Sequence, residues 1–379
     1  SAQNTYLKML YTCITMRRIT VNNLYASSIN EIADLILHVG DKRTILIEGD
    51  MGIGKSSILK LLAKRLPDHI PTYFDCTTKD LGDLYIPDLD RERGCVTFLP
   101  NEDFGIHTGK PVIIMYDEFG KANPSVKNGC LKGMTEFTIG NTPLPEGSIQ
   151  IATTNLGAEG IGDLLPPHAR NRIITVRMRK PTAEEWLTDY AINNDCHPSV
   201  MGFVREFPQV FQSFTEVPNP EDNTYIFHPK RQSNACITPR SLMIVSDTLH
   251  QREHLTDNML TNALIGAIGE RGALDLMAFV KLADKLPTLE SIKTDPSNAL
   301  VPDSASAVCM VVYRALSTIE RDWVDAWLTY MKRLSAEAQG MFAMGVKPAS
   351  YAKRSLVMQN KQFTKWAIDN NYMFASDKE

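Results

Sequence analysis

Residues 44–62 read TILIEGDMGIGKSSILKLL, and this stretch decides the fold of the region around it. An apolar run, Ile45 to Ile47, leads into a loop with the spacing G-x-x-x-x-G-K-S, and a leucine-rich helical pattern follows. In such a loop, glycines let backbone N–H groups turn towards a chain of phosphates. The helix that follows directs the positive end of its dipole at the same anion. The sequence therefore predicts a strand, a phosphate-binding loop and a helix.

Two side chains of this loop are predicted to act directly on a bound nucleotide. Lys55 is expected to reach the β- and γ-phosphates, and the Ser56 hydroxyl is expected to bind Mg²⁺. A glycine turn that merely precedes a helix is the competing interpretation, and the flanking strand and helix patterns argue against it. The predicted phosphate-binding residues are Gly49, Asp50, Met51, Gly52, Ile53, Gly54, Lys55, Ser56 and Ser57.

A second apolar run, residues 112–116, ends in Asp117 and Glu118. A nearly continuous apolar run is typical of a strand that is covered on both faces. Acidic side chains at the carboxyl end of such a strand lie where open α/β sheets bind their ligands. We expect Asp117 to hold Mg²⁺ through water and Glu118 to polarise the attacking water. An acidic turn that only ends the strand is the alternative.

A third predicted strand, residues 149–153, leads to Asn155. A neutral amide at this strand end can orient the water nucleophile and sense the γ-phosphate. The alternative is an ordinary turn asparagine, because Asn is common in turns.

Three arginines are candidates for contacts with phosphate. Arg170 and Arg172 precede a predicted strand, and either could reach the γ-phosphate of a neighbouring subunit as an arginine finger. Solvated surface charge is the competing interpretation for both. Arg240 lies at the predicted start of a helix, where a cation is unfavourable near the positive end of the dipole. Its presence there suggests an anionic partner, with a plain surface arginine as the alternative.

Composition limits the class of protein. The chain of 379 residues is 43% hydrophobic and carries 40 basic and 44 acidic residues, so no global positive field would hold nucleic acid or an anionic membrane. Its seven cysteines are scattered without a C-x-x-C pair, which favours reduced thiols in a cytosolic protein. No apolar stretch approaches the roughly twenty residues of a membrane span, and no signal-peptide pattern opens the chain. We expect a cytoplasmic location and no membrane span.

Taken together, residues 49–56, the Asp117-Glu118 pair, Asn155, Arg172 and Arg240 resemble the nucleotide machinery of an AAA+ ATPase. By that resemblance they are Walker A, Walker B, sensor 1, arginine finger and sensor 2. The sequences at 75–109, 117–124 (DEFGKANP) and 151–155 (IATTN) are similar to the MoxR group, whose members carry an extra hairpin inserted in the second helix. Many relatives have Asn-Arg where this chain has Gly120-Lys121, which leaves any contact between subunits made there open.

The resemblance implies a fold class and a domain order. The fold class is α/β, an AAA+ P-loop NTPase core with a parallel sheet, followed by an all-α lid and a C-terminal helical region. Strand and helix patterns stop alternating near Pro181. The expected domains are an N-terminal arm at 1–26, the core at 27–180 with the insert at about 77–109, a helical lid with sensor 2 at 181–256 and a C-terminal helical region at 257–379.

The resemblance also implies an activity, its cofactors and its partners. It points to a Mg²⁺-dependent ATPase that forms a ring, most often hexameric, binds ATP at subunit boundaries and remodels or activates a client or adaptor protein. A nucleic-acid motor and a nucleotide-dependent switch with little turnover remain alternatives. Residues 83–103 carry six acidic and two basic side chains, and such a surface repels phosphates, so nucleic acid is not the expected partner. ATP is favoured over GTP because no N-K-x-D or T-K-x-D motif occurs.

Two further patterns lie in the C-terminal half. Residues 250–254 fit H-x-x-E-H, a zinc-peptidase signature, but their polar surroundings argue against zinc. Residues 307–333 are predicted to form one helix, in which Trp323 and Trp327 lie one turn apart and are expected to pack in the core.

Overall fold

The structure, a computed structural model, describes residues 25–155, 171–230 and 235–374. These residues form two compact units, and the division falls between Lys180 and Pro181. The first unit is built on a parallel β-sheet, and the second is helical. Residues 1–24 of the predicted arm lie outside the described part of the chain.

The first unit contains strands that follow the predicted apolar runs. The described strands are β1 (Ala26–Ser27), β2 (Ile45–Gly49), β3 (Ile70–Asp75), β4 (Tyr85–Asp90), β5 (Cys95–Pro100), β6 (Val112–Asp117), β7 (Thr138–Ile139), β8 (Thr142–Pro143), β9 (Ile149–Asn155) and β10 (Ile174–Met178). Six of them form one sheet in the order β1-β10-β2-β9-β6-β3, and every described pair in it is parallel. The strand that enters the phosphate loop is therefore separated from β6 by β9 alone.

Helices cover both faces of this sheet, as the apolar run at 112–116 predicted. Along β6, alternate side chains join two different clusters, because successive residues of a strand point to opposite faces. Ile113 and Met115 pack with side chains of the helices α1 (Ile29–Val39) and α2 (Ser57–Arg65). Val112, Ile114 and Tyr116 pack with side chains of a later helix, α4 (Pro124–Glu136), which follows the short α3 (Leu81–Leu84). This arrangement confirms the predicted fold class.

The first of these helices begins at a serine cap. Ser28 caps α1, and its hydroxyl and backbone N–H both pair with Glu31. This reciprocal pair is a capping box, which satisfies amide groups left free at a helix start. The helix ends at Gly40.

The insert contains the predicted hairpin. Strands β4 and β5 pair antiparallel, with Asp90 opposite Cys95. The outer edge of β5 meets a second hairpin, β7–β8, through Asn141. The backbone N–H of Phe98 donates to Asn141 Oδ1 at 2.7 Å, and the backbone N–H of Asn141 donates to the Phe98 carbonyl at 3.0 Å. Neighbouring Gly140 must be glycine, because its φ is +59° and a Cβ would lie 2.4 Å from that carbonyl. The two hairpins are therefore fixed to each other.

The second unit is built from helices around one apolar cluster. Ile237, Phe203 and Trp327 are among its fully buried members. The described helices are α5 (Ala183–Glu185), α6 (Pro198–Glu206), α7 (Pro239–His250), α8 (Asp257–Ala283), α9 (Leu289–Thr294), α10 (Ala305–Thr318), α11 (Val324–Met331), α12 (Ala336–Val346), α13 (Arg354–Met358) and α14 (Lys361–Asp369).

The prediction of one helix over 307–333 was wrong. Helix α10 ends at Thr318 because Ile319 turns to an extended conformation, with ψ 135°, and is itself completely buried. The chain then turns through polar residues 320–322 before α11 begins. Trp323 and Trp327 are both buried in the apolar cluster, so their expected packing role is confirmed.

The finer domain boundaries, a lid at 181–256 and a C-terminal region at 257–379, stay predictions. Within the described residues, none of the helices combines the length and the apolar character that a bilayer crossing requires.

A half-buried histidine of the second unit is held neutral. His197 caps α6, and its ring nitrogen accepts a hydrogen bond from the backbone N–H of Ser199 at 3.2 Å. Burial, followed by the nearby His250 and Arg252, lowers the pKa of His197 to about 4, although Asp284 acts in the opposite direction. The folded state therefore binds this proton less readily than the unfolded state does.

We expect the second unit to lose stability as the pH falls from 6.5 towards 4. The unfolded chain gains a proton on residue 197 in this range and the folded chain does not, so the free energy of unfolding decreases, by at most about 3 kcal/mol for this group. His197→Asn, which keeps an acceptor for the helix cap, should show a smaller loss than the wild type. Tryptophan fluorescence in denaturant titrations measures this unit, since all four tryptophans lie in it.

The exposed His254 provides the matched control. His254→Asn should leave the pH dependence unchanged. An equal dependence in His197→Asn and the wild type would contradict the assignment to His197.

Candidate nucleotide-binding site

The loop between β2 and α2 has the backbone that its glycines predict. Gly52 and Gly54 have φ angles of 72° and 95°, a region that side chains with a Cβ rarely adopt. Gly49 is needed for a different reason, since a Cβ there would lie 2.6 Å from Ile53 Cδ1 and 3.0 Å from the Met178 carbonyl. These three glycines let the loop turn tightly against the sheet and lead into a helix of nine residues.

Lys55 is nearly buried and lies between the ends of two adjacent strands. Its ammonium donates to the carbonyls of Gly49 at 2.9 Å and Asp50 at 2.7 Å, and to Asn155 Oδ1 at 2.8 Å. Asn155 reaches it because β9 pairs with β2 in a register that places Asn155 beside Gly49. The structure thus brings the predicted phosphate lysine and the predicted strand-end amide into direct contact.

Asp117 is hydrogen-bonded to three neighbouring side chains, one of which belongs to the loop. The carboxylate is buried, and its Oδ2 accepts from Ser56 Oγ at 2.9 Å and from the Tyr73 hydroxyl at 2.7 Å. Its Oδ1 accepts from the hydroxyl of Thr153. A buried charge is costly unless it is hydrogen-bonded, and these contacts supply that compensation. Ser56 therefore meets Asp117, the other residue predicted to bind Mg²⁺.

Strand register explains why these groups meet. Asp75 ends β3 directly beside Asp117 at the end of β6, and parallel strands present their carboxyl ends at one edge of the sheet. Burial, the hydrogen bond to Asp117 and its charge raise the pKa of Tyr73. Burial acts to raise the pKa of Asp75, but hydrogen bonds from Thr77 and the charge of Lys121 outweigh it and lower that pKa. Asp75 and Asp117 thus lie side by side at this edge of the sheet, and each accepts hydrogen bonds from neighbouring hydroxyl groups.

Glu118 has an unusual backbone and a close cationic partner. Its φ and ψ are 51° and 35°, the left-handed region, which few residues other than glycine adopt. Its backbone N–H donates to Thr153 Oγ1 at 3.1 Å. One carboxylate oxygen, Oε2, lies 2.5 Å from the Lys121 ammonium. The predicted base is therefore half-exposed and paired within its own turn.

The structure does not bring Arg172 to this cluster. Arg172 is exposed in the turn before β10, and β10 aligns Ile174 with Ile45, at the start of β2. Arg172 thus lies at the amino-terminal edge of the sheet, roughly 15 Å from the loop by strand length. Arg170 lies outside the described residues. Arg240 is exposed in the first turn of α7, in the second unit. Their roles stay predictions.

The donor set fits magnesium and a phosphate chain. Mg²⁺ is usually held by one or two protein oxygens, with the remaining positions filled by waters and substrate phosphates. Ser56 and Asp117 provide such a pair, and Lys55 provides the cation that phosphate oxygens require. In residues 25–155, 171–230 and 235–374, no group of three or more His, Cys, Asp or Glu side chains could hold a metal. At residues 250–254, the His250 ring pairs instead with the carbonyl of Asp195.

Sequence reasoning missed three residues of the site. Thr153 and Tyr73 hold the Asp117 carboxylate, and Lys121 holds that of Glu118. Thr153 lies on the predicted strand just before Asn155, so its position on the same edge was available from the pattern. Tyr73 lies in β3, and no motif marks it. Only the strand register shows that its hydroxyl reaches β6.

Of the comparisons with known proteins, the one with solved structures alone finds similar chains. No protein-family model matches the chain, and no curated protein matches it. A mutant RuvB from Thermotoga maritima is 14% identical with a TM-score of 0.35, and the match covers 68% of this chain and 70% of that chain. A second RuvB mutant from that organism is 14% identical with a TM-score of 0.34, covering 78% and 85%. A proposed ATPase from Cytophaga hutchinsonii is 14% identical with a TM-score of 0.30, covering 71% and 90%.

These likenesses are too distant to carry an argument about function. The strand order, the phosphate loop and the helices on both faces of the sheet define the class. The first unit is an α/β fold with a parallel sheet and a P-loop after β2, and a helical region follows it along the chain.

We expect Thr153→Val to weaken the site without changing its shape. Valine is nearly isosteric with threonine, but it leaves the Asp117 oxygen and the Glu118 N–H without their hydroxyl partner. Loss of such buried hydrogen bonds costs about 1–3 kcal/mol. Thermal denaturation should show this loss, and nucleotide titrations should show a smaller gain in affinity on adding Mg²⁺.

Thr153→Ser keeps the hydroxyl and is the matched control. If the valine variant is as stable as the serine variant and responds equally to Mg²⁺, Thr153 does not support the carboxylate in this way.

Proposed function

We propose that the protein is a Mg²⁺-dependent ATPase of the MoxR AAA+ type, which assembles into a ring and uses hydrolysis to remodel or activate a partner protein. The contacts at the sheet edge carry this proposal. Lys55 with Asn155, and Ser56 with Asp117, join the phosphate loop to the ends of two further strands. A phosphate loop alone would support nucleotide binding. Here the loop also lies beside Asp117, a candidate magnesium ligand, and Glu118, the candidate base, follows Asp117 directly.

Each residue of the site has a separate role in this proposal. Lys55 leaves its carbonyl and amide partners to neutralise charge on the β- and γ-phosphates. Mg²⁺ bound near Ser56 and Asp117 would neutralise phosphate charge as the bond to the leaving group breaks. Glu118 accepts a proton from the attacking water, and Asn155 orients that water. Fixed charges at such a site lower the barrier because they need no rearrangement during the reaction.

The position of Arg172 is an argument for assembly into a ring. It lies at the opposite edge of the sheet from the loop of its own chain, so it is poorly placed to act there. A neighbouring copy could accept this side chain at its γ-phosphate, and turnover would then depend on assembly. We propose Arg172 as the arginine finger, with Arg170 as the alternative, and Arg240 as sensor 2, whose movement with nucleotide state would transmit the change. The ring size proposed is six.

The exposed apolar side chains of the inserted hairpin are an argument for a protein partner. Five large apolar side chains, Ile86, Leu89, Val96, Phe98 and Leu99, are 40–59% exposed on this one hairpin. Leu89, Val96 and Phe98 lie on one face of the hairpin, and Ile86 and Leu99 lie on the other. Exposed apolar side chains that lie together are typical of surfaces that contact another protein. The acidic residues around it disfavour nucleic acid. We propose that the client or adaptor contacts the hairpin in the cytoplasm.

The nucleic-acid motor is the second candidate, because the same core serves both classes. ATPase stimulation by DNA, with affinity that falls steeply as salt rises, would favour it. A nucleotide-dependent switch would instead bind ATP tightly with negligible turnover.

Two substitutions separate binding from hydrolysis. Lys55→Ala is expected to abolish nucleotide binding, since the phosphates lose their cation. Glu118→Gln should bind ATP normally and lose roughly a hundredfold or more in hydrolysis, the usual effect of removing a general base. Phosphate release and equilibrium binding measure the two effects. Glu136→Gln, at the exposed end of α4, is the control. Equal hydrolysis in Glu118→Gln would remove Glu118 as the base.

Mixing two inactive variants tests the shared site. Arg172→Ala subunits retain Lys55, and Lys55→Ala subunits retain Arg172, so a mixed ring contains some complete sites. Hydrolysis should therefore recover in the mixture but not in either variant alone. The same mixture made with Arg170→Ala distinguishes the two arginines. No recovery with either arginine variant would contradict a finger that acts between subunits.

A further inference from the structure

The ion pair between Glu118 and Lys121 has no part in the roles assigned so far. Lys121 Nζ lies 2.5 Å from Glu118 Oε2 in a short 3-10 turn, Phe119–Lys121. The same ammonium lies close enough to Asp75 for its charge to act on that carboxylate. A cation therefore lies among the acidic groups at the sheet edge, beside the proposed base.

The local backbone fixes Lys121 in this place. Phe119 is buried beneath the turn, and Gly120 passes so close to β9 that a Cβ would lie 2.3 Å from Thr154 Oγ1. The Gly120 carbonyl also accepts from Lys127 Nζ at 3.1 Å. Phe119 packs beneath the turn, and Lys127 donates to the Gly120 carbonyl. The backbone of Lys121, three residues after Glu118, therefore has a defined position.

The contact fixes the direction in which the proposed base points. A carboxylate has two oxygens, and the ammonium at this distance from Oε2 holds the whole group in one orientation. A side chain that acts as general base must be within hydrogen-bond reach of the proton that it takes. Glu118 can take a proton from water only in orientations that bring one of its oxygens to that water, and the ion pair limits which orientations it adopts.

We propose that Lys121 is a positioning residue that restrains Glu118 until the pair separates during the ATPase cycle. This inference rests on the proposed function, since it assigns a restraint to the same site. Lys121 does not touch the reacting atoms and acts only through Glu118. The pair is partly exposed, with 26% of the Lys121 side chain and 40% of the Glu118 side chain accessible, so the restraint is weak. Pairs of this kind shift an equilibrium by about fivefold or less.

The test compares the full-length protein with Lys121→Met, which keeps the length of the side chain and removes its charge. We expect kcat for ATP to rise about twofold to fivefold, with KM and the affinity for a fluorescent ATP analogue unchanged. Lys121→Arg keeps a cation and should give a smaller increase. Lys121→Gln is the second uncharged variant, should the methionine variant fold poorly. Lys132→Met makes the same chemical change at an exposed position of α4 and should have no effect.

A double variant shows whether Lys121 acts through Glu118. In the Glu118→Gln background, Lys121→Met should change neither kcat nor KM, because no carboxylate remains to be released. An increase there would overturn the inference, as would an unchanged or lower kcat in the single methionine and glutamine variants. Failure of the proposed function looks different: the wild type itself would not hydrolyse ATP, or Glu118→Gln would hydrolyse it equally well. That result would overturn both.

Discussion

The buried carboxylate of Asp117 is the constraint on which the site depends. A charge at the end of a covered strand is stable only when its oxygens are hydrogen-bonded. Here the partners come from three separate elements, namely Ser56 from the start of α2, Tyr73 from β3 and Thr153 from β9. Satisfying this one group therefore fixes the phosphate loop and the two neighbouring strands in a single arrangement.

Close packing sets the rest of the geometry. Gly49 lets the phosphate loop approach Ile53 and Met178, and Gly120 lets the turn after Glu118 approach Thr154. The left-handed backbone of Glu118 lies between these contacts, held through its N–H by Thr153. A strained backbone of this kind persists only where the surroundings determine it, and such strain is common at active sites.

The exposed hairpin is connected to the same sheet. Asn141 bonds β5 to the β7–β8 hairpin, and β9 begins eight residues later and ends at Asn155. The apolar surface that we propose for a partner and the amide that contacts Lys55 therefore belong to directly connected segments. Lys121 would add a further local control, because it pairs with the proposed base within a turn that packs closely against β9.

The sequence by itself determined the elements and the motifs. Spacing and flanking patterns placed the phosphate loop, Asp117, Glu118 and Asn155 at strand ends, because local glycine chemistry and the two-residue period of strands are legible in one dimension. It failed where distant packing decided the outcome, as at Ile319, whose burial ends α10. Only the tertiary structure showed that Tyr73 and Thr153 share Asp117, that Lys121 pairs with Glu118, and that Arg172 lies at the far edge of the sheet. Those facts follow from strand register and order, which bring together residues that no local pattern relates.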